Sequence, residues 1–592
     1  MNEPNNRRIG NDVFYSLRRL YLHLSKHRRL QLGLVFALML AGAIAELATI
    51  GAVIPFLGLI SAPEEVASVP VFSHIFDLLG WTYSNNIVGL VTLFFVTIVL
   101  IAGSIRLLLA WFSYKYIFGI GHELSVGVYR TALYKPFVYH ASSNSSDIIA
   151  GITKAQIAAV TTLLPTLQAV TGGVISITLL GALYLIDAGI ALVATAGLGT
   201  IYIVISYFGR RRLEENGRDI AAAQTGRIRA VQEGLGGVRD IVIDNAQNVY
   251  LKRFIDTDLA FRNAHTKSIF IGTGPRYLIE SVSIVVVAIL ALNLSGKQGG
   301  LSDALPLLGA FALAGQRILP AMHSIFQSWT QIKANQQQLS DVLDLIETSV
   351  DSTTSLISST PPLPFVRDIS LSNVSFKYDL NSDLVLDRVN FTIKSGSRVG
   401  FVGKTGSGKS TIVDLIMGLL EPAEGQILVD DELLSRDNIT KWQANIAHVA
   451  QQVYLADASL AENIAFGVPL DKIDHGRVQL AAQRAAISDF IEGLPEGYNT
   501  VVGERGTRLS GGQKQRIGIA RAIYKHATLL VFDEATSALD NETEIEVMEA
   551  IQSLGGNVTI LIIAHRPSTV AGCDQVFRME NGKAIAWKMT AR

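Results

Sequence analysis

About six stretches of roughly 20 predominantly apolar residues crowd into the first part of this chain, at 30–61, 86–110, 160–186, 188–208, 277–294 and 304–328. Beyond Trp329 the pattern stops. A bilayer core about 30 Å thick needs about 20 apolar residues wound as helix, because hydrocarbon offers no partner for a backbone N–H or C=O. The spacing therefore predicts six membrane-spanning helices followed by a water-soluble half. The first apolar run is too long for a removable signal peptide and lacks a small-residue cleavage site.

Charge sets the orientation. The net charge of −1 hides two unlike parts: residues 1–345 carry 27 basic and 21 acidic side chains, and residues 346–592 carry 23 and 30. Arg7, Arg8, Arg18, Arg19, Lys26, Arg28 and Arg29 precede the first span, whereas the segment at 62–85 has neither Lys nor Arg. The segments at about 111–159 and 209–276 are basic and long. Cations collect on the cytoplasmic side, so both termini are expected there, with two long cytoplasmic extensions between spans. Arg210-Arg211-Arg212 sits beside a span, where this rule accounts for it without any nucleic acid.

Within the outer loop, Phe72, Ile75, Phe76 and Leu79 follow helical spacing, which suits either a short interfacial helix or a loop folded onto the span ends. The polar, proline-rich run from Asp351 to Pro364 reads as a linker, giving domains at 1–345 and 367–592 joined by 346–366. After it, short Val/Ile/Leu runs alternate with helical stretches, as in an α/β domain. The lone Cys573 excludes an internal disulfide and reads as a small buried hydrophobe or a reactive thiol.

Gly403-Lys404-Thr405-Gly406-Ser407-Gly408-Lys409-Ser410 is a complete phosphate loop between a strand-like 398–402 and a helical 411–417. Glycines let the backbone turn its N–H groups onto a phosphate at a helix N-terminus, next to Thr411. Lys409 would reach the β- and γ-phosphates and Ser410 would ligate Mg²⁺. The apolar Leu529–Phe532 ends in Asp533 and Glu534, placed to hold Mg²⁺ and to orient or deprotonate an attacking water.

Leu509-Ser510-Gly511-Gly512-Gln513 lies between these motifs, and in this order they resemble an ATP-binding cassette (ABC) transporter, a membrane helical domain plus a cytoplasmic P-loop ATPase. The resemblance implies ATP and Mg²⁺ as cofactors. It implies that Tyr378 stacks on adenine, that Gln451 senses Mg²⁺ and water, that Asp540 signals across a dimer and that His565 contacts the γ-phosphate. Thr500–Gly506 looks like the loop that senses the membrane domain's cytoplasmic helices. Ala450 and Pro567 depart from the proline and leucine usual in exporters, without removing a phosphate contact. In this family the signature of one subunit closes on the nucleotide of another, so a homodimer is expected. Closure of the two cassettes would pass through the extensions near 135–147 and 231–244 to the spans.

Glu46, Arg106, Glu280 and Arg317 lie in or near spans and Arg276 enters the fifth. Such charges cost roughly 2.5–3.5 kcal/mol at the bilayer centre, so they face a cavity, pair, or snorkel. The stretches around Glu46, Arg106, Arg276 and Arg317 resemble one branch of the family, the bacterial lipid-linked oligosaccharide flippases of the inner membrane. That resemblance implies that Arg106, Arg276 and Arg317 attract the pyrophosphate of an amphiphilic, lipid-linked substrate. An exporter of drugs, lipid A-type lipids or peptides is the alternative, although no peptidase-like domain precedes the first span. A non-pumping ATP-binding regulator is opposed by the intact Glu534, Ser510 and His565.

Overall fold

The computed structural model describes residues 13–61, 87–142, 144–186, 188–295, 300–347, 361–378, 383–534, 545, 558–564 and 567–587. The expected outer helix at 72–79 lies outside them, as do Asp540 and His565. Two compact units separate by their contacts: Met1–Lys135 with Ser143–Val350, and Pro136–Ser142 with Asp351–Arg592.

The first unit is helical: α1 (Val13–His23), α2 (Lys26–Ser61) and α3 (Ile87–Leu133). After α4 (Phe137–Ser142), which belongs to the second unit, come α5 (Ser145–Ala158), α6 (Leu164–Ile186), α7 (Ala188–Gly236), α8 (Val238–Ile243), α9 (Gln247–Ser295) and α10 (Gly300–Glu347). Among the described residues Lys26–Thr49, Thr92–Leu133 and Ser145–Ala182 are long and apolar enough to cross a membrane, with mean hydropathies of 2.0, 2.4 and 1.6. The other three expected spans fall on α7, α9 and α10, where many side chains lie outside the described set. At 1.5 Å per residue the 49-residue α7 and α9 run about 74 Å, more than twice a bilayer core. Each span therefore continues without a break into its extension.

A π-helical turn, Ala159–Leu163, joins α5 to α6. Pro165 follows at once; it has no N–H for the Thr161 carbonyl and its ring would crowd that oxygen, so the ladder widens there. Ala155, Ala158 and Ala159 are fully buried against a cluster that includes Ile117, Ile120, Leu339, Val342 and Leu343. Small residues let these helices approach closely. Lys154 reaches Asp341 at 2.9 Å across the same junction.

The second unit contains a four-stranded sheet, order β2-β1-β4-β5, and a six-stranded sheet, order β10-β9-β3-β8-β7-β6. Their strands are β1 (Asp368–Phe376), β2 (Leu386–Lys394), β3 (Arg398–Gly403), β4 (Glu424–Val429), β5 (Glu432–Leu433), β6 (Ile446–Val449), β7 (Leu529–Asp533), β8 (Thr559–Ala564), β9 (Gln575–Glu580) and β10 (Lys583–Ala586). In β7, Leu529 and Val531 enter one core and Leu530 and Phe532 the other. Both faces are covered, which is why such strands read as unbroken apolar runs. Helix α11 (Lys409–Ile416) covers one face; on the other lie α12 (Leu460–Ile464), α13 (His475–Arg484) and α14 (Gly511–Lys525). Leu363 and Phe365, at the C-terminal end of the proline-rich run, are buried in the α11-side core. Cys573 is partly buried against Gly400, and burial pushes its thiol up to about 11, which leaves it protonated and unreactive.

Trp442 is fully buried, donates from Nε1 to the Ile416 carbonyl at 2.7 Å and stands edge-on to Phe365. Trp442→Ala should cost about 3–5 kcal/mol of the second unit's stability, read as a lower midpoint in thermal unfolding.

Candidate nucleotide site

Strand register builds the site. β3 pairs in parallel with β8, Val402 opposite Ala564, and β8 with β7, Ile563 opposite Asp533. The phosphate loop and the acidic pair thus leave the same edge of the sheet, two strands or about 10 Å apart. Ligands of parallel α/β sheets bind at this carboxyl end.

In the loop, Gly408 caps α11 with φ of 95°, where an added Cβ would stand 2.8 Å from Leu386 Cδ2. At Gly403 a Cβ would meet the Met579 carbonyl oxygen at 2.6 Å. Lys409 is 6% exposed and its Nζ donates to the carbonyls of Gly403 (2.8 Å) and Lys404 (3.1 Å). Burial lowers its pKa, while the charges of Glu534 and Asp533 oppose that. Lys404, Thr405, Gly406 and Ser410 are exposed, with Ser407 half-buried among them. Thr411 is buried, and its hydroxyl lies 3.1 Å from the Tyr378 hydroxyl. Tyr378 itself is half exposed and edge-on to Phe376.

Glu534 takes φ of 51°, a left-handed backbone unusual for a carboxylate residue, fixed by its N–H donating to the Ile563 carbonyl. Gln451 Nε2 donates to Glu534 Oε2 at 2.8 Å. Asp414, one turn after Ser410 on α11, went unnoticed in the sequence. Burial and the charge of Asp533 push its carboxyl up to about 6. The Asp533 carboxylate, the Ser410 hydroxyl and the Gln451 side-chain carbonyl are hard oxygen donors of the kind that suits Mg²⁺, which leaves the Glu534 carboxylate for water.

The signature motif starts α14. Ser510 Oγ accepts from the Gln513 N–H, and Gln513 Oε1 accepts from the Ser510 N–H at 2.8 Å, a reciprocal capping box. The Gly511 and Gly512 N–H groups begin a 15-residue helix whose N-terminus favours an anion. Gln513's side chain is turned back onto Ser510 in this arrangement. In the loop before it, Arg505 has φ of 51° and its carbonyl accepts from Lys514 Nζ.

In the helical unit, Arg106 Nη1 lies 3.2 Å from Glu46 Oε2, with the Glu46 side chain only 6% exposed. Arg276 Nε donates to Glu280 at 2.6 Å along α9, just after the internal Pro275. The Arg317 side chain lies outside the described residues. Two of the three arginines thus hold carboxylates. Sequence reasoning also missed a cavity of about 450 Å³ between α7 and α10, lined by Tyr202, Tyr207, Arg210, Met322, Phe326 and Trp329. Aromatic side chains near the ends of spans were its available signal.

Parallel strands carrying a phosphate loop, an acidic pair at the same edge and a capped signature helix define an ATP-binding cassette. Residues 386–537 match the family model described as ABC transporter. The chain is 32% identical over 473 residues to "ABC transporter B family member 29, chloroplastic" of Arabidopsis thaliana, spanning 78% of this chain and 73% of that protein. It is 43% identical over 224 residues to an "ATP-dependent lipid A-core flippase" of Cupriavidus metallidurans, a match that spans 38% of each. A bacterial Atm1-family ABC exporter solved with ATP bound has the same fold, with a TM-score of 0.76, 23% identity and 94% of each chain covered. The chain belongs to the ABC transporters: it is an ATP-hydrolysing membrane transporter with the exporter fold.

Gly408→Ala forces an L side chain into a left-handed, crowded position, a strain of about 1–3 kcal/mol. Affinity for a fluorescent ATP analogue should fall about tenfold while the fold survives. Asp414 gives a signed prediction. Its folded pKa lies above the unfolded one, so stability falls as pH rises from about 4 to about 6 and stays lowered above. Without nucleotide, Asp414→Asn should raise the melting temperature at pH 7 and leave it unchanged below pH 4. In detergent, Arg106→Ala should lower thermal stability more than Arg106→Ala/Glu46→Gln, because the single change strands a buried carboxylate.

Proposed function

We propose that the chain is a half-transporter that works as a homodimer and uses ATP to move an anionic amphiphile across the bacterial inner membrane, with both termini cytoplasmic. The best-fitting cargo is a lipid-linked, polyprenyl-pyrophosphate oligosaccharide. The observation that carries the ATPase part is the Gln451–Glu534 bond at the sheet edge that bears the phosphate loop. Glu534 is the general base that orients and deprotonates the attacking water, and Lys409 leaves its two loop carbonyls to hold the β- and γ-phosphates. Ser410, Asp533 and Gln451 would hold Mg²⁺, which supplies charge neutralisation on the phosphates when bound. Tyr378 stacks on adenine, Thr411 and the loop amides of Gly403–Gly408 take phosphate oxygens, and His565 and Asp540 complete the site.

Dimerisation draws support from the two extension tips. Helix α4 groups with the cassette, and its Val138 packs on the cassette core. Around α8, by contrast, Leu235, Val238, Val242 and Ile243 are each more than half exposed in the single chain. A second copy's cassette would cover that apolar tip while its signature amides at Ser510–Gly512 reach the nucleotide held here. Closure of the paired cassettes then moves the spans, and hydrolysis resets them.

For the cargo, guanidinium groups stay charged and grip phosphate oxygens in a fork. Arg106 and Arg276, each engaged by a carboxylate, exchange that partner for pyrophosphate, with Arg317 as the third cation. The relative from Cupriavidus metallidurans is named for flipping lipid A-core, itself an amphiphile, which favours a lipid cargo here as well.

Glu534→Gln should bind ATP normally and hydrolyse it about 10²–10⁴-fold more slowly; wild-type turnover would overturn the base assignment. Light scattering in detergent should give a dimer mass for the active species. In proteoliposomes, lipid-pyrophosphate glycan should be flipped in an ATP-dependent way, ahead of lipid A and drugs. Normal glycan flipping by an Arg106/Arg276/Arg317→Ala triple variant would sink the pyrophosphate reading while leaving the ATPase reading intact.

A further inference from the structure

His323 is out of keeping with its surroundings. It stands on α10 in a stretch whose Leu319, Met322 and Phe326 pack with Tyr202 and Ile279. The residue is 9% exposed, and its Nδ1 is buried without a hydrogen-bond partner. A buried polar atom in that state is costly, so its presence calls for a use.

The layer around it holds a charged pair. Helices α9 and α10 run past each other in opposite directions, with Gly272 against Thr330 and Ile279 in the cluster of Met322 and Phe326. The steps from 272 to 279 and from 330 back to 323 are each about two turns, which brings Ile279 and Glu280 level with His323. Glu280 Oε1 accepts from Arg276 Nε at 2.6 Å, and the charges of both act on the His323 ring. Tyr202 on α7 feels the same pair, but it opens onto the aromatic cavity, whereas the His323 Nδ1 is shut off from solvent.

As it stands, the pair cannot hold a cargo anion well. Glu280 occupies the Nε edge of the guanidinium, and its charge repels a phosphate. Once a pyrophosphate takes Arg276, the carboxylate is released at the end of a span, where an unpaired charge is costly. An imidazole donates from Nδ1 either as the Nδ1–H tautomer or as the cation. The rotatable bonds of a glutamate side chain allow it to cross toward α10.

We propose that His323 receives the Glu280 carboxylate when a pyrophosphate-bearing lipid takes Arg276, which makes the histidine a positioning residue for cargo binding. The inference rests on the reading of Arg276 as a cargo cation. Arg276 is neutralised by Glu280 in the empty site and by phosphate in the loaded one, and Glu280 moves between Arg276 and His323.

The test is a pair of double-mutant cycles on the full chain in lipid nanodiscs. His323→Phe keeps a ring and loses both nitrogens; His323→Leu serves if that variant folds poorly. Without nucleotide, binding of a polyprenyl-pyrophosphate glycan should weaken about tenfold or more in His323→Phe, but less than about twofold when Glu280→Gln is already present. His323→Asn, which returns an N–H near the Nδ1 position, should recover most of the loss. Equal losses in both Glu280 backgrounds, or no loss in either, overturn the exchange. The second cycle needs no cargo. Arg276→Ala frees Glu280, so His323→Phe should lower the melting temperature several degrees more in that background than in the wild type; an equal shift overturns the exchange whatever the glycan does. A wild type that binds the pyrophosphate glycan no better than the matching polyprenol overturns the cargo reading, and the melting cycle then decides the exchange by itself.

Discussion

Parallel pairing of β3, β8 and β7 is the constraint on which the chemistry depends. Because Phe401, Ile563 and Asp533 stand at one level of the sheet, the loop that turns on Gly403 and the carboxylates that follow Phe532 emerge together. A shift of one residue in either pairing would send alternate side chains of β7 to the wrong core, since Leu529 and Val531 serve one side and Leu530 and Phe532 the other. The apolar packing thereby fixes the separation of the groups that handle phosphate. Stability and catalysis share the same register.

A second constraint governs the helical unit. Backbone groups in hydrocarbon must bond within their own helix, so each span is helical, and in α7 and α9 the helix continues past its span to nearly 50 residues in all. The helices meet where residues are small, at Ala155, Ala158 and Ala159, and at Gly217, whose missing Cβ would lie 2.5 Å from the Ala334 carbonyl. Charged ties such as Lys154–Asp341 and Arg28–Glu123 lie on the extensions and at span ends, where pairing with a partly exposed carboxylate offsets the cost of burying each cation.

Much of the cassette was legible because its motifs are local. The phosphate loop, the strand before Asp533 and the signature each occupy fewer than ten consecutive residues, and the peptide geometry each requires restricts the choice of amino acid. Even the capping box is visible as a serine three residues before a glutamine. What remained hidden depends on chain segments meeting. That Arg106 finds Glu46, that Gln451 finds Glu534 and that Arg19 finds Glu347 are facts of pairing between distant positions. Asp414 looked like an ordinary polar position on a helix, and only its burial near Asp533 gives it an altered affinity for protons. The aromatic cavity between α7 and α10 likewise draws on residues more than a hundred positions apart.

The π-turn before Pro165 has a geometric consequence for the third span. One extra residue in a turn advances the helical phase by about 100°, so α6 presents a different side to its neighbours from the one a regular continuation of α5 would present. The alanine seam below and the apolar surface above are thus set at independent azimuths on one rod. Restoring a regular turn there would rotate α6 against α5, like a key cut correctly but mounted askew on its shaft.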